Sequence, residues 1–307
     1  MQAFLLRRLL QSVVTLVGVS VAVFLMLYFT PGDPVQVMLQ GSSASPQQVA
    51  SLRHQLGLDQ PIYVRYGTYL LHALKGDLGT SYQTREAVRT AILEQLPATL
   101  QLTFAGLFVA VTIGLLMGII AAVRRDTWLD TLSMNVSLLG VSIPNFWLGM
   151  LLILAFSLHF KLFPAIGSNG IRALVLPAIA LGWGYAAIIA RLVRHSLIEV
   201  MQFDYIKTAR AKGLAERIVV ARHAIKNALI PVVTIIGLQF GHMLANAVII
   251  ESLFARQGIG RLIVSGILSK DFPMVQGVVL FAAVGYVAAN LLVDVSYAVL
   301  DPRIRFS

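Results

Sequence analysis

The chain has 307 residues, 57% of them hydrophobic and only 12% charged, a balance that excludes an ordinary soluble globular domain. Its net charge of +10 comes with no basic face interleaved with aromatics, so nucleic acid is not expected as a partner. Cysteine is absent, which removes disulfide frameworks, thiol catalysis and Cys-based metal sites.

The charges cluster between apolar windows at 9–32, 95–123, 131–158, 173–190, 227–250 and 272–293. Each window has roughly the 17–25 residues, or more, that a helix needs to cross a bilayer. Barrel strands would be short and alternating, whereas these runs are continuous. The expected fold is therefore an all-α polytopic membrane protein with six transmembrane helices. With the N-terminus inside, the inner segments carry Arg7, Arg8, Arg124, Arg125, Arg191, Arg194 and the cations between Lys207 and Lys226. The two short outer loops carry only Lys161, Arg172, Arg256, Arg261 and Lys270. Retention of Lys and Arg on the inner side then places both termini in the cytoplasm.

In chain order, residues 1–32 are expected to form an anchor helix. The run after Arg7 and Arg8 is too long for a signal peptide and no small-x-small cleavage site follows it. Residues 33–94 form an extracytoplasmic loop or cap, turn-rich at Ser42, Ser43 and Ser45, then helical over 46–56 and 61–74, with Pro61 in a first turn. It either meets a delivery protein or covers helix ends. Residues 95–300 make a five-helix core with a loop at 191–230, and residues 301–307 are a cytoplasmic tail. Ser142-Ile143-Pro144-Asn145 interrupts the third span and Pro177 enters the fourth, each a kink that serves static shape or a hinge.

In the fifth span Gln239, His242 and Asn246 stand at i, i+3 and i+7 on one helical face. Such a stripe either lines a hydrophilic path or bonds neighbouring spans together. Glu251 and Arg256 at the end of that span either brace a gate or are simply solvated. Gly258-Ile259-Gly260 has no preceding strand and is expected to be a turn. Asn290 and Asp294 lie one turn apart in the sixth span, where a hydrogen bond or a helix-end ion pair is favoured over proton coupling. His242 has no second His or carboxylate one turn away, so no metal site is expected there. No phosphate loop, His-Glu-x-x-His or Gly-x-Ser-x-Gly motif occurs, so the chain is expected not to be an enzyme and to need no cofactor.

The richest stretch is 204–231. Asp204 is placed to cap a short helix, Gly213 to end it in the left-handed conformation, and Ala228-Leu229-Ile230-Pro231 to lead back into apolar sequence. A solvated basic loop drawn to anionic lipid would account for the charge alone. However, Tyr205-Ile206-Lys207-Thr208-Ala209-Arg210-Ala211-Lys212-Gly213 resembles the EAA loop of permease subunits in ATP-binding-cassette importers, in its peptide/nickel version. Lys207 stands where the general motif has Glu, and Pro231 follows Gly213 at a longer distance than usual. The resemblance extends to Thr30-Pro31-Gly32-Asp33-Pro34, to 56–61, to Gly76-Asp77-Leu78-Gly79 and to Asp301-Pro302-Arg303.

That resemblance implies a permease in the bacterial cytoplasmic (inner) membrane. It implies pairing with a second related permease chain, two cytoplasmic ATPase subunits that hydrolyse ATP, and an extracytoplasmic substrate-binding protein. The coupling helix would run from Tyr205 to Lys212. Ala209 and Ala211 would allow close approach to the ATPase, and Lys207, Arg210 and Lys212 would meet its acidic rim, with Thr208 among them. Gly213 would set the exit angle and Pro231 would pass motion to the fifth span. The substrates implied are dipeptides, oligopeptides or glutathione, with nickel chelates as the alternative. A secondary transporter working without ATPases is the competing class, and a membrane enzyme has the least support.

Overall fold

A computed structural model describes residues 2–30, 34–39, 45–168 and 170–300. Among these residues the protein is helical and has no strand, only one isolated bridge between Thr80 and Ala87. Thr30 and Pro34 are described, while Pro31, Gly32, Asp33 and the closing 301–307 lie outside these residues.

Among the described residues five helices are long and apolar enough to cross a membrane: α1 (Gln2–Tyr28), α5 (Val88–Val123), α8 (Arg172–Val200), α12 (Ile230–Leu253) and α14 (Phe272–Leu300). Short helices fill the intervals: α2 (Pro34–Met38), α3 (Pro46–Gln55), α4 (Ile62–Leu74), α9 (Asp204–Ala211), α10 (Glu216–Ile218), α11 (Ile225–Ala228) and α13 (Ile259–Leu268). The third expected span is not one helix. It is a pair, α6 (Trp128–Ser142) and α7 (Asn145–Leu152, continued as a π-helical turn through His159), bent by 105°. Pro144 forces the break. Helical geometry is disfavoured for the residue before a proline, and Ile143 accordingly has φ −87° and ψ 121°. Pro177, by contrast, lies inside α8, and the helix continues through it.

The chain divides into two compact units. The first comprises the described residues of Met1–Thr99 and Gln257–Ala288. Helices α3 and α4 fall within a residue or so of their expected limits. Ser45 accepts the Gln48 amide N–H and the Gln48 side chain accepts the Ser45 N–H, a capping box that starts α3. Helix α4 lies along α1: Ser20 and Tyr66 hydroxyls are 2.9 Å apart, and the Phe24 ring meets Tyr66 edge-on at 5.3 Å. A buried cluster of Val88, Ile92, Ile259, Met274 and Val278 joins the start of α5 to α13 and α14. The expected turn at 258–260 is corrected here. Ile259 opens α13, its N–H bonded to Thr99 Oγ1 at 2.9 Å, and Ile259, Leu262 and Ile263 pack into the same cluster.

The second unit comprises Leu100–Arg256 and the described part of Ala289–Ser307, with α8 as its most buried span. Backbone approaches backbone where α5 crosses α8. A Cβ on Gly182 would strike the Gly106 carbonyl oxygen, and one on Gly118 would stand 2.6 Å from that of Ala190. Without a hydrophobic drive between helices in lipid, such close packing of small residues is what holds spans together. Leu176, Leu181, Met243, Ile250 and Phe254 fill the space between α8 and α12.

Candidate functional site

Helix α9 forms because Phe203, at φ −67° and ψ 150°, turns the chain out of α8 and begins a new helix. Asp204 is not its cap, as the sequence suggested. It occupies the first turn, makes no capping hydrogen bond, and accepts one from Lys207 Nζ at 2.8 Å. Its negative charge still favours the helix N-terminus, and the Lys207 ammonium holds its carboxyl below the ordinary range. Ile206 and Ala209 are buried, one turn apart, against Leu197, Val200, Val219, Ala224 and Ala228. Ile119 and Ala122 of α5 pack on the same cluster.

Ala209 faces inward, and its small size lets α9 pack into the buried cluster it shares with Leu197 and Val200 of α8 and with Val219, Ala224 and Ala228. Tyr205, Lys207, Thr208, Arg210, Ala211 and Lys212 are exposed. Gly213 follows at φ +79°, its N–H bonded to Arg210 O at 2.9 Å, with open space where a Cβ would stand. Arg210 donates from Nε to Glu216 Oε2 at 3.0 Å and from Nη2 to Oε1 at 2.6 Å, closing the turn between α9 and α10. That bidentate pair lowers the Glu216 carboxyl and raises the guanidinium. Asn227 Nδ2 donates to Tyr205 Oη at 2.7 Å, tying α9 to α11. The second stretch is broken into α10, a π-helical segment Val219–Ala224 and α11. Pro231 is exposed in the first turn of α12, where its missing N–H costs no intrahelical bond.

The polar stripe of α12 is divided by burial. Gln239 is 4% exposed, and neither its Oε1 nor its Nε2 has a hydrogen-bond partner. Asn246 Nδ2 donates to Tyr185 Oη at 2.8 Å and to the His242 carbonyl at 3.0 Å. His242 itself is exposed. At the end of α12 Glu251 and Arg256 are 0% and 1% exposed, which overturns simple solvation. Arg256 Nη2 reaches Gln101 Oε1 at 2.8 Å, while its Nε and Nη1 have no hydrogen-bond partner. Asn290 is half-buried; the Asp294 side chain lies outside the described residues. Among the described residues no three His, Asp or Glu gather as a metal site would require.

Residues 114–306 match the family of the binding-protein-dependent transport system inner membrane component, and residues 1–103 match its N-terminal family. The chain belongs to this permease family. The permease is 42% identical over 303 residues to the glutathione transport system permease protein GsiC of Salmonella paratyphi A, covering 99% of each chain. It is 40% identical over 314 residues to a putative peptide transport system permease protein of Brucella abortus, covering 100% of each. Its fold resembles that of the MetNI methionine ABC transporter in inward-facing form, with a TM-score of 0.59 at 19% identity over 68% of this chain and 95% of that one. An amino acid ABC transporter with histidines matches at 0.55 and 18% identity, over 69% and 94%. This is a multi-pass permease subunit of an ABC importer in the bacterial inner membrane.

Two polar ties in the permease escaped the sequence reading. Asp130, on the border of the third apolar window, takes hydrogen bonds from Arg194 Nε at 2.6 Å and Nη2 at 2.7 Å, joining α6 to α8. Asp271, just before α14, accepts from the Ser81 hydroxyl and from the Tyr82 N–H at 3.1 Å. Nothing in one dimension marks either pair, since the partners are 64 and 190 residues apart.

Proposed function

We propose that this permease pairs with a second, related permease chain to form a path for peptides, dipeptides, oligopeptides or glutathione-like molecules, delivered by an extracytoplasmic binding protein. Two ATPase subunits hydrolyse ATP and dock on α9, with both termini of the permease in the cytoplasm. The observation that carries this reading is the two-faced build of α9. Its inner face, Ile206 and Ala209, is seated on the ends of α8 and α5, so a push on the helix is passed to both spans rather than absorbed by a loop. Its outer face presents Tyr205, Lys207, Thr208, Ala211 and Lys212. Arg210, half-exposed, stiffens the turn through Glu216 as well as offering charge. Gly213 sets the exit direction, and Pro231 begins α12 without needing an N–H partner. Movement of α9 then repositions α12, whose exposed His242 offers an imidazole to a peptide, and whose enclosed Gln239 and Tyr185-bonded Asn246 become available as the spans move. The names of the relatives in Salmonella and Brucella support the substrate class.

The test uses the importer assembled with its ATPases and binding protein in proteoliposomes. Gly213→Asp is expected to abolish substrate-stimulated ATP turnover while the permease still inserts in the membrane; unchanged turnover overturns the docking role of α9. Uptake of labelled dipeptide or glutathione is expected, and uptake of a nickel chelate alone would overturn the peptide assignment.

A further inference from the structure

Helix α4 is built inside out for a helix in water. Tyr63, Leu71 and Leu74 are 73%, 60% and 77% exposed and recur, with Gly67 and Leu70, along one stripe. Its opposite face turns Arg65, Tyr69 and His72 toward a cavity of about 530 Å3 within the first unit. The helix is held against α1 at Ser20 and Phe24, and α1 is a membrane span. Ser20 lies eight residues before the end of α1, about 12 Å along its axis. The exposed stripe of α4 therefore meets the same lipid that surrounds α1, in the manner of a helix lying at the membrane interface.

The cavity behind α4 is cationic and aromatic. Arg65, Arg53 and His72 line it; His72 Nδ1 lies 3.8 Å from Asp77, and among the described residues no lining side chain is itself a carboxylate. The Arg65 guanidinium sits 5.6 Å from the centre of the Tyr28 ring, and no described carboxylate lies within ion-pair distance of it. Tyr69 Oη is buried without a hydrogen-bond partner. Burial first, then the neighbouring Tyr66, push its phenol up to about 12, so it stays a donor at any physiological pH. Phe24, Leu27 and Phe272 supply apolar wall. A zwitterionic peptide would leave its ammonium without a partner there. An amphiphile whose only charge is a phosphate would be matched at both ends.

We infer that this cavity binds an anionic phospholipid, its phosphate held by Arg65 and Tyr69, its chains running along the Phe24 and Leu27 wall of α1. The inference rests on the geometry of the first unit and on membrane residence, not on the peptide assignment. Basic pockets between membrane helices on the cytoplasmic or matrix side bind acidic lipid headgroups, and Arg65 with Tyr69 offers the same chemistry at the other end of α1.

The test extracts the assembled importer from bilayers holding equal phosphatidylglycerol and phosphatidylcholine and measures co-purifying lipid by mass spectrometry. Phosphatidylglycerol is expected to be retained preferentially, and Arg65→Gln to lower that retention roughly tenfold, as loss of a charge-assisted hydrogen bond would. Tyr69→Phe, which removes only a hydroxyl, is expected to lower it about threefold and serves where Arg65→Gln fails to assemble. Equal retention of both lipids, or retention unchanged in both variants, overturns the inference. Displacement of the lipid by inorganic phosphate or by a dipeptide at micromolar concentration would assign the cavity to a soluble anion or to substrate, and overturns it equally.

Discussion

Arg194 of α8 grips Asp130 of α6 through two parallel hydrogen bonds, with the carboxylate side chain only 7% exposed. The Asp126 N–H adds a third contact to Asp130 at 3.1 Å. This pair fixes the first half of the broken span to the central helix, beside the segment that leads into α9. Removing Asp130 takes both charge-assisted hydrogen bonds from the part-buried Arg194. Asp130→Ala is expected to destabilise the permease by about 2 kcal/mol, read as a lowered midpoint in thermal unfolding of the detergent-solubilised importer. Arg194→Lys keeps the charge but loses the fork geometry and should recover only part of the stability.

The seating of α9 is a packing question at Ala209. Ala209→Leu adds volume to a filled cluster and is expected to cost about 1–3 kcal/mol. Because the strain falls on the contact with α8, ATP turnover should lose its dependence on substrate while the permease still assembles. Full substrate stimulation in Ala209→Leu would show that α9 does not transmit force through this face.

Close helix approach makes a sharper test of fold. Gly182→Val would drive methyl groups into the Gly106 carbonyl and Val109. No flexible side chain stands there to yield, so the variant is expected to give little folded importer, measured as monodisperse yield from membranes. Gly285→Ala, in α14, has nothing within 4 Å of its Cβ and should express normally.

Gln239 separates stability from transport. Its buried carboxamide, left without partners, costs about 1–3 kcal/mol relative to a satisfied one. Gln239→Leu is therefore expected to raise the unfolding midpoint while lowering peptide uptake. A gain in stability with uptake unchanged would remove Gln239 from the path.

The tie between Arg210 and Glu216 depends on pH. Arg210 lowers the folded-state pKa of Glu216 below its ordinary 4.5. Its contribution is then fully present above about pH 4.5 and is lost as pH falls through the lower folded value. Both groups are about half exposed, so the pair is worth only about 0.5 kcal/mol. Amides of 204–218 are expected to exchange faster, relative to intrinsic rates, below that pH. Glu216→Gln should reproduce the change at pH 7.

The membrane character, the helical class and most of the span positions follow from sequence, because hydropathy over about 20 residues is a local property that lipid enforces. Gly213 was legible for a similar reason: a short helix followed by glycine has one inexpensive ending. The capping role given to Asp204 failed because the cap position falls one residue earlier, at Phe203, which puts Asp204 inside the first turn. The inward turn of Ala209 could not be read, since an alanine fits a close partner on either side of a helix.

The sequence by itself thus determined where the chain enters lipid and where it carries a cationic surface helix, since composition and short-range periodicity control both. Tertiary structure alone decided which polar groups are paired, through Asp130 with Arg194 and Ser81 with Asp271, and that Glu251, Arg256 and Gln239 are enclosed. It also set the size of the break at the interruption expected around Pro144, a bend of 105°. Those outcomes depend on groups far apart in the chain meeting in a packed interior, so their energies exist only once the helices have packed.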